Sequence, residues 1–331
     1  MTRPTEARTA VRVAPLTLPR PFQFAHATLT SVDIVSLTVD LDGECGTGEI
    51  ATGLEHGQDS AAIAREAKGL AAHLAGRADP DDVATVAAVL REQGAAVSGP
   101  ARMVVEMAFL DLAARRAGRP LWRLLDLPDP GTVHLMRTVP IDAAVPDDVR
   151  PVKLKLGGPR DAEVLHGLVG VPGPVVLDAN RAWSGADWRR LCPLVAEVAP
   201  AVLEDPVHVP ELLPEIRSAL PGTAVVLDEG VESLADAERA AATADGANVK
   251  LMRFGGLFPA LEALRLLRSA GAAPMLGCYL EPARAIAYAA QLAGLCDWTD
   301  LDGHFWLTRT PPVMRYRLDD RVPGIPPIRT A

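Results

Sequence analysis

Five short apolar segments of this chain each end in ionisable residues, at intervals that fit one strand plus one helix. They are Val152-Lys153-Leu154-Lys155, the stretch closing on Asp178, the stretch closing on Glu204, the one leading to Asp228, and Asn248-Val249-Lys250. Asp178, Glu204 and Asp228 are 26 and 24 positions apart, so they fall on successive strands and can converge. Three converging carboxylates repel one another unless a cation joins them. No His or Cys accompanies them, so the donors are hard oxygens. Such donors suit Mg²⁺, one ion per subunit, with water and substrate oxygens completing an octahedron. Mn²⁺ could substitute. Asn180, two residues past Asp178, would share its face if the strand continued, and would then support that ligand.

Taken singly, each acid has a plainer explanation, since acids often end strands where a loop begins or cap the next helix. Three in register, with lysines on both flanks, favour a metal site. Lys153 and Lys155 stand at i and i+2 of one strand and share a face. Lys250 lies one strand beyond the last acid, on the far side of the cluster. Two lysines so placed reach opposite faces of one substrate carbon. One removes a proton and the other returns it, while the metal stabilises the dianionic enediolate formed in between. The plainer alternative for Lys250 is an ion pair with Asp228 across the rim.

These residues need a frame that brings strand ends together. Apolar strands are expected near 134–139, 151–156, 174–178, 200–204, 224–228, 247–252, 273–277 and 296–301, alternating with Ala/Leu-rich helices. Eight such repeats in about 170 residues favour a closed barrel, whose C-terminal rim is where active sites are built. Ahead of them, residues 8–50 read as antiparallel strands with Asp42-Gly43 as a turn, and helices are expected over 59–75, 80–94 and 99–117. Together these place an α+β domain at 1–125, the barrel at 126–304, and a segment at 305–331 that folds back on the first domain. In that last segment Val313–Leu318 is a candidate strand.

Composition narrows the partners. The net charge of −9 opposes nucleic acid and anionic membrane surfaces. No apolar run reaches the roughly 20 residues of a membrane span, and Met1–Ala10 lacks a signal peptide's apolar segment. Four scattered cysteines form no paired motif. The expected setting is the cytoplasm, with a small-molecule partner.

In this order the motifs are recognisable. Lys153-Leu154-Lys155, Asp178 in DAN, Glu204 in LEDP, Asp228 in LDEG and Lys250 resemble the enolase superfamily, in its muconate-lactonising subgroup. The resemblance covers nearly the whole chain. It implies an N-terminal α+β capping domain joined to a modified TIM barrel, (β/α)7β, with Lys155 as base, Lys250 as the opposite-face lysine, Lys153 supporting them, and a homo-oligomer. Two segments are most similar to dipeptide epimerases: Lys250-Leu251-Met252 followed by Gly255-Gly256, and Asp300-Leu301-Asp302 on the last strand. In those enzymes a D-x-D at this place binds the substrate's α-ammonium group. The chemistry agrees, because two same-facing carboxylates can hold an ammonium while the metal holds the carboxylate at the other end. The plainer alternative is a loop acid followed by a capping turn at Asp302-Gly303.

Other positions depart from the family pattern. Tyr279, in Gly277-Cys278-Tyr279-Leu280-Glu281, would narrow the side-chain pocket. The loop QFAHAT, with His26, lacks the arginine that Ala-Glu epimerases use for an acidic side chain. Leu54 and His56 are candidates for closing over the substrate, and Thr138 is expected near the substrate carboxylate. The implied reaction is 1,1-proton transfer at the C-terminal residue of a dipeptide whose side chain is not glutamate. N-acylamino acid racemase, o-succinylbenzoate synthase and cycloisomerase activities are the alternatives within the superfamily, and a non-catalytic scaffold is the alternative outside it.

Overall fold

The computed structural model describes residues 7–24, 27–54, 58–93, 96–141, 143, 151–309 and 315–330. Strands β1 (Arg8–Phe24), β2 (Ala27–Leu41) and β3 (Glu44–Thr52) form an antiparallel sheet in that order. Along β2, Val35, Leu37 and Val39 are fully buried, so alternate residues give the sheet its core face. Leu41 pairs with Glu44, leaving Asp42-Gly43 as a two-residue connection. Both have positive φ, 56° and 86°, the geometry that follows the twist of a hairpin.

Helices α1 (Ser60–Arg77), α2 (Val83–Gln93) and α3 (Gly99–Arg116) agree closely with the expected three. Helix α3 is buried along most of its length and lies backbone-to-backbone on β3. A Cβ at Gly46 or Gly48 would overlap the carbonyls of Ala108 or Val104. One further turn of helix, α4 (Leu121–Leu124), leads toward the barrel.

The segment expected as a single strand over 134–139 is divided. Strand β4 (Thr132–His134) pairs antiparallel with the C-terminal segment, and β5 (Arg137–Val139) alone begins the barrel. Parallel strands then follow in chain order: β6 (Val152–Lys155), β7 (Val175–Asp178), β8 (Val202–Glu204), β9 (Ala224–Leu227), β10 (Gly246–Lys250), β11 (Ala273–Gly277) and β12 (Trp298–Asp300). Their connections carry α5 (Asp161–Leu168), α6 (Gly185–Val198), α7 (Leu213–Ala219), α8 (Leu234–Thr243), α9 (Leu251–Phe254), α10 (Leu257–Ser269) and α11 (Ala283–Ala289). The strands are apolar along their length because helices cover their outer face and side chains fill the interior. The ladder ends on β5 and β12, and hydrogen bonds tie β12 to β4 and Asp302, just beyond β12, to β5. Thr299 Oγ1 donates to the His134 carbonyl at 2.5 Å, and the Thr138 amide donates to the Asp302 carboxylate at 2.8 Å.

Strands β13 (Arg315–Leu318) and β14 (Ile328–Thr330) complete a three-stranded sheet in the order β14-β13-β4. The chain between them meets the N-terminal helices. The Gly324 carbonyl accepts from Leu121 N at 2.8 Å, and Ile325 N donates to Asp111 on α3 at 2.7 Å. The molecule is thus an α+β capping domain on a modified (β/α) barrel. Among the described residues no helix is long and apolar enough to cross a membrane.

Candidate active site

Strand register aligns the chemistry at the barrel's C-terminal rim. Lys155 pairs with Asp178, Asp178 with Glu204, and on the far side Lys250 pairs with Gly277 and Gly277 with Asp300. Asp178 and Glu204 are fully buried, and Asp228, Lys153 and Lys250 nearly so. Buried charges need partners, and here each has one.

Lys153 Nζ lies 3.0 Å from Asp178, 2.7 Å from Glu204 and 2.8 Å from Asp300. Lys155 Nζ donates to Asp178 at 2.5 Å and to the Asn180 side-chain oxygen at 3.1 Å. Lys250 Nζ donates to Asp228 at 2.5 Å, so the rim ion pair named above as its plainer alternative is present. Arg253 reaches the same carboxylate at 3.0 Å, and its Nε donates to the Tyr279 hydroxyl at 3.0 Å.

Opposed forces set the protonation of this cluster. Burial alone would raise the Asp228 carboxyl, but Lys250, Arg253 and Lys153 outweigh it and hold it low. Asp178 is likewise lowered, with Lys153 and Lys155 overcoming burial. Glu204 goes the other way, to about 8, because burial and repulsion from Asp178 exceed the help from Lys153. Burial would lower Lys153, yet Asp178, Asp300 and Glu204 hold it well above the usual lysine range.

The donor set fits a hard divalent cation in its chemistry: three buried carboxylates, Asp178 and Glu204 closing β7 and β8 and Asp228 just past β9. Glu204 Oε1 accepts from Asn248 at 2.9 Å, whereas its Oε2 is buried without a directed hydrogen bond, although Lys153 Nζ lies close by. Among the described residues, no three acidic, His or Cys side chains stand grouped as a metal site. Lysine ammonium groups supply countercharge to these carboxylates, Lys153 between Asp178 and Glu204 and Lys250 on Asp228.

A cavity of about 240 Å³ opens over the cluster. Thr138, Leu54, Tyr279, Asp300 and Asp302 line it together with the three lysines, Asn180 and Asp228. His26 and His56 lie outside the described residues. Some positions differ from expectation in detail. Strand β7 ends at Asp178, and Asn180 has φ 45°, so Asn180 meets Lys155 through a left-handed turn rather than by strand alternation. Strand β12 ends at Asp300, so Asp302 does not share its face by strand alternation. Its carboxylate does not cap the helical turn at Gly303. It accepts instead from Thr138 N at 2.8 Å and Thr138 Oγ1 at 3.2 Å. Thr138, expected near a substrate carboxylate, therefore serves Asp302. Burial and the Asp300 charge push Asp302 up to about 7 despite those hydrogen bonds.

Sequence reading missed several contributors. Asn248, at i−2 from Lys250, shares its strand face, and that spacing was the available signal. Arg253, Glu229, Phe22 and Trp306 also line the cavity. Glu229 accepts from Asn180 at 2.7 Å, and Phe22 meets Trp306 edge-on with ring centroids 4.6 Å apart. The aromatic pair comes from opposite ends of the chain, which no local pattern reveals.

Comparison with known proteins places these observations. Residues 7–126 match the family described as the mandelate racemase/muconate lactonizing enzyme N-terminal domain, and residues 141–320 match the enolase C-terminal domain-like family. An L-Ala-D/L-amino acid epimerase from Pedosphaera parvula is 32% identical, over 86% of this chain and 84% of that protein. A hydrophobic dipeptide epimerase from Roseobacter litoralis is 29% identical, over 88% of each. In fold, the chain resembles a dipeptide epimerase from Cytophaga hutchinsonii solved with Mg and D-Ala-L-Val. The TM-score is 0.82 at 22% identity, over 99% of this chain and 96% of that one.

Proposed function

Because this chain belongs to the enolase superfamily, in its mandelate racemase/muconate-lactonising subgroup, we propose that it is a dipeptide epimerase. It inverts the α-carbon of the dipeptide's C-terminal residue by 1,1-proton transfer. The observation that carries this reading is the placement of Lys155 and Lys250 on opposite flanks of one buried carboxylate cluster, with Asp300 and Asp302 lining the same cavity. Relatives named as a hydrophobic dipeptide epimerase and an L-Ala-D/L-amino acid epimerase support it.

Asp178, Glu204 and Asp228 would hold one Mg²⁺, or Mn²⁺ in its place, which when bound supplies Lewis-acid stabilisation of the charge that builds on the substrate carboxylate. Lys155 takes the α-proton from one face and Lys250 returns one from the other, the roles reversing with the direction of reaction. Lys153 holds Asp178 and Glu204 in place, and Asn180 and Asn248 orient Lys155 and Glu204. Asp302, fixed by Thr138, receives the substrate ammonium with Asp300.

Part of the cavity wall is apolar and suits a side chain. Phe22, Leu29, Leu54, Leu280 and Trp306 make it up, and Arg253, the cavity's arginine, is already engaged by Asp228 and Tyr279. A hydrophobic C-terminal residue fits this lining better than glutamate. We place the enzyme in the cytoplasm, as a homo-oligomer, in keeping with its scattered free cysteines and the family.

The test is α-deuterium incorporation in D₂O, followed by NMR, across a dipeptide panel with and without Mg²⁺. The expected result is Mg²⁺-dependent exchange at the C-terminal α-carbon, fastest with aliphatic or aromatic side chains. Exchange of N-acylamino acids but of no dipeptide would replace this assignment with racemisation of acylated substrates.

A further inference from the structure

One pair of ionisable residues where the capping domain meets the barrel takes no part in the reaction above. Arg102 and Glu106 stand one turn apart on α3 of the capping domain, and both face the barrel loop that follows β10. Glu106 is 1% exposed. Its Oε1 accepts a short hydrogen bond from Leu257 N, another from Phe258 N at 3.3 Å and one from the Tyr288 hydroxyl at 2.6 Å. Arg102 donates to the Gly255 carbonyl at 2.9 Å and the Phe254 carbonyl at 2.6 Å.

Leu257 and Phe258 open α10, whose N-cap residue is Gly256. A helix leaves its first amides without intrahelical partners, and glycine has no side chain to satisfy them. Glu106 supplies that cap from another domain, with a carboxyl group at the positive end of the helix dipole. Gly255 and Gly256 have φ of 81° and 137°, and a Cβ at either would overlap the Arg102 guanidinium or the Glu106 carboxylate. The fit has no slack.

The clamped segment follows directly on Lys250 and contains Arg253, which holds Asp228 and Tyr279. The loop after Lys155 is tied differently. Asp161, on the barrel's own α5, accepts from Gly157 N at 2.9 Å and Gly158 N at 3.0 Å.

We propose that Glu106, together with Arg102, is a positioning residue through which the capping domain sets Lys250 and Arg253, and so governs proton transfer on the Lys250 face alone. This rests on the two-lysine reading. Burial raises the Glu106 carboxyl to about 7, against its hydrogen bonds and Arg102.

The test uses the full chain as wild type, E106A, E106Q and K250M. Two quantities are read: amide hydrogen exchange over residues 251–258, and Mg²⁺-dependent α-deuterium incorporation from each C-terminal stereoisomer of one dipeptide. K250M identifies the isomer that depends on Lys250. In E106A, the Leu257 and Phe258 amides are expected to exchange about tenfold faster or more. Deuterium incorporation from the Lys250-dependent isomer should fall about tenfold relative to the other, and E106Q, which keeps an acceptor oxygen, should restore most of it. Faster amide exchange with equal losses for both isomers overturns the proposal, as does unchanged amide exchange. If E106A does not fold, R102M carries the same two readouts. If wild type exchanges no dipeptide proton, the two-lysine reading falls. The amide measurement still decides the clamp: loosening confined to 251–258 supports it, and none overturns it.

Discussion

The two lysines at the rim are held from different sides of the molecule. Lys155 stands on β6, with Asp178 and Asn180 as partners, and its following loop is capped by Asp161, which also accepts from Trp183 Nε1 at 2.7 Å. All of these belong to the barrel. Lys250 stands on β10 with Asp228, Arg253 and the Tyr279 ring, and its following loop is capped by Glu106 from the capping domain. One flank is local in sequence and the other is completed by residues about 150 positions away. The Lys155 flank is thus organised within the barrel. On the Lys250 flank the direct partners are also barrel residues, and the capping domain adds its hold on the segment that follows them.

The largest effect should come from the part the two flanks share. In D178N, Lys153 and Lys155 lose a shared negative charge, and the proposed metal site loses a carboxylate. Epimerisation, followed by NMR, should drop about a thousandfold or more for both substrate isomers. Near wild-type turnover in D178N would show that the flanks do not meet at this cluster.

The Lys250 flank should also carry a distinct pH signature in stability. Glu106 is raised from its ordinary value near 4.5 to about 7, burial being the dominant cause. A raised carboxyl contributes stability that is complete below the unfolded value and is lost as pH rises through the folded one. Wild type should therefore lose about 3 kcal/mol relative to E106Q between pH 4.5 and 7.5, read by urea titration. A difference that is flat with pH would remove burial of an ionisable group from the account of this flank.

Substrate anchoring comes next in size. D302N should raise KM for dipeptides about ten- to a hundredfold, with a smaller change in kcat, because a charged hydrogen bond to the ammonium is lost. An equal loss with N-acylated substrates would mean that Asp302 only holds Thr138. The smallest change is expected from Y279F, which deletes the hydroxyl that Arg253 donates to and keeps the ring beside Lys250. Activity should fall about two- to fivefold, and a loss as large as that of D178N would give the hydroxyl a direct role.

Much of this arrangement was legible in the sequence, for one physical reason. A parallel barrel strand is apolar because both its faces are covered, so a charge at its end stands out. Lys155, Asp178, Glu204 and Lys250 were found that way, and all four close their strands. The division of residues 132–139 into β4 and β5 was not legible, since a short apolar run reads alike whether its partner is a barrel strand or β13. Nor was the partner of Asp302, because Thr138 lies 164 residues away. Glu106 left a trace, as an acid in the middle of a helix of Met, Val, Ala and Leu. Its meaning depends on Leu257 and Tyr288, which only the docked domains bring near.

The central claim is that two lysines act on opposite faces of one carbon, and isomer-resolved deuterium incorporation in K155M and K250M tests it most directly. With Mg²⁺ and a dipeptide prepared in both C-terminal configurations, K155M should lose exchange from one isomer and keep it from the other, and K250M should show the reverse. Full exchange of both isomers in either variant would contradict it.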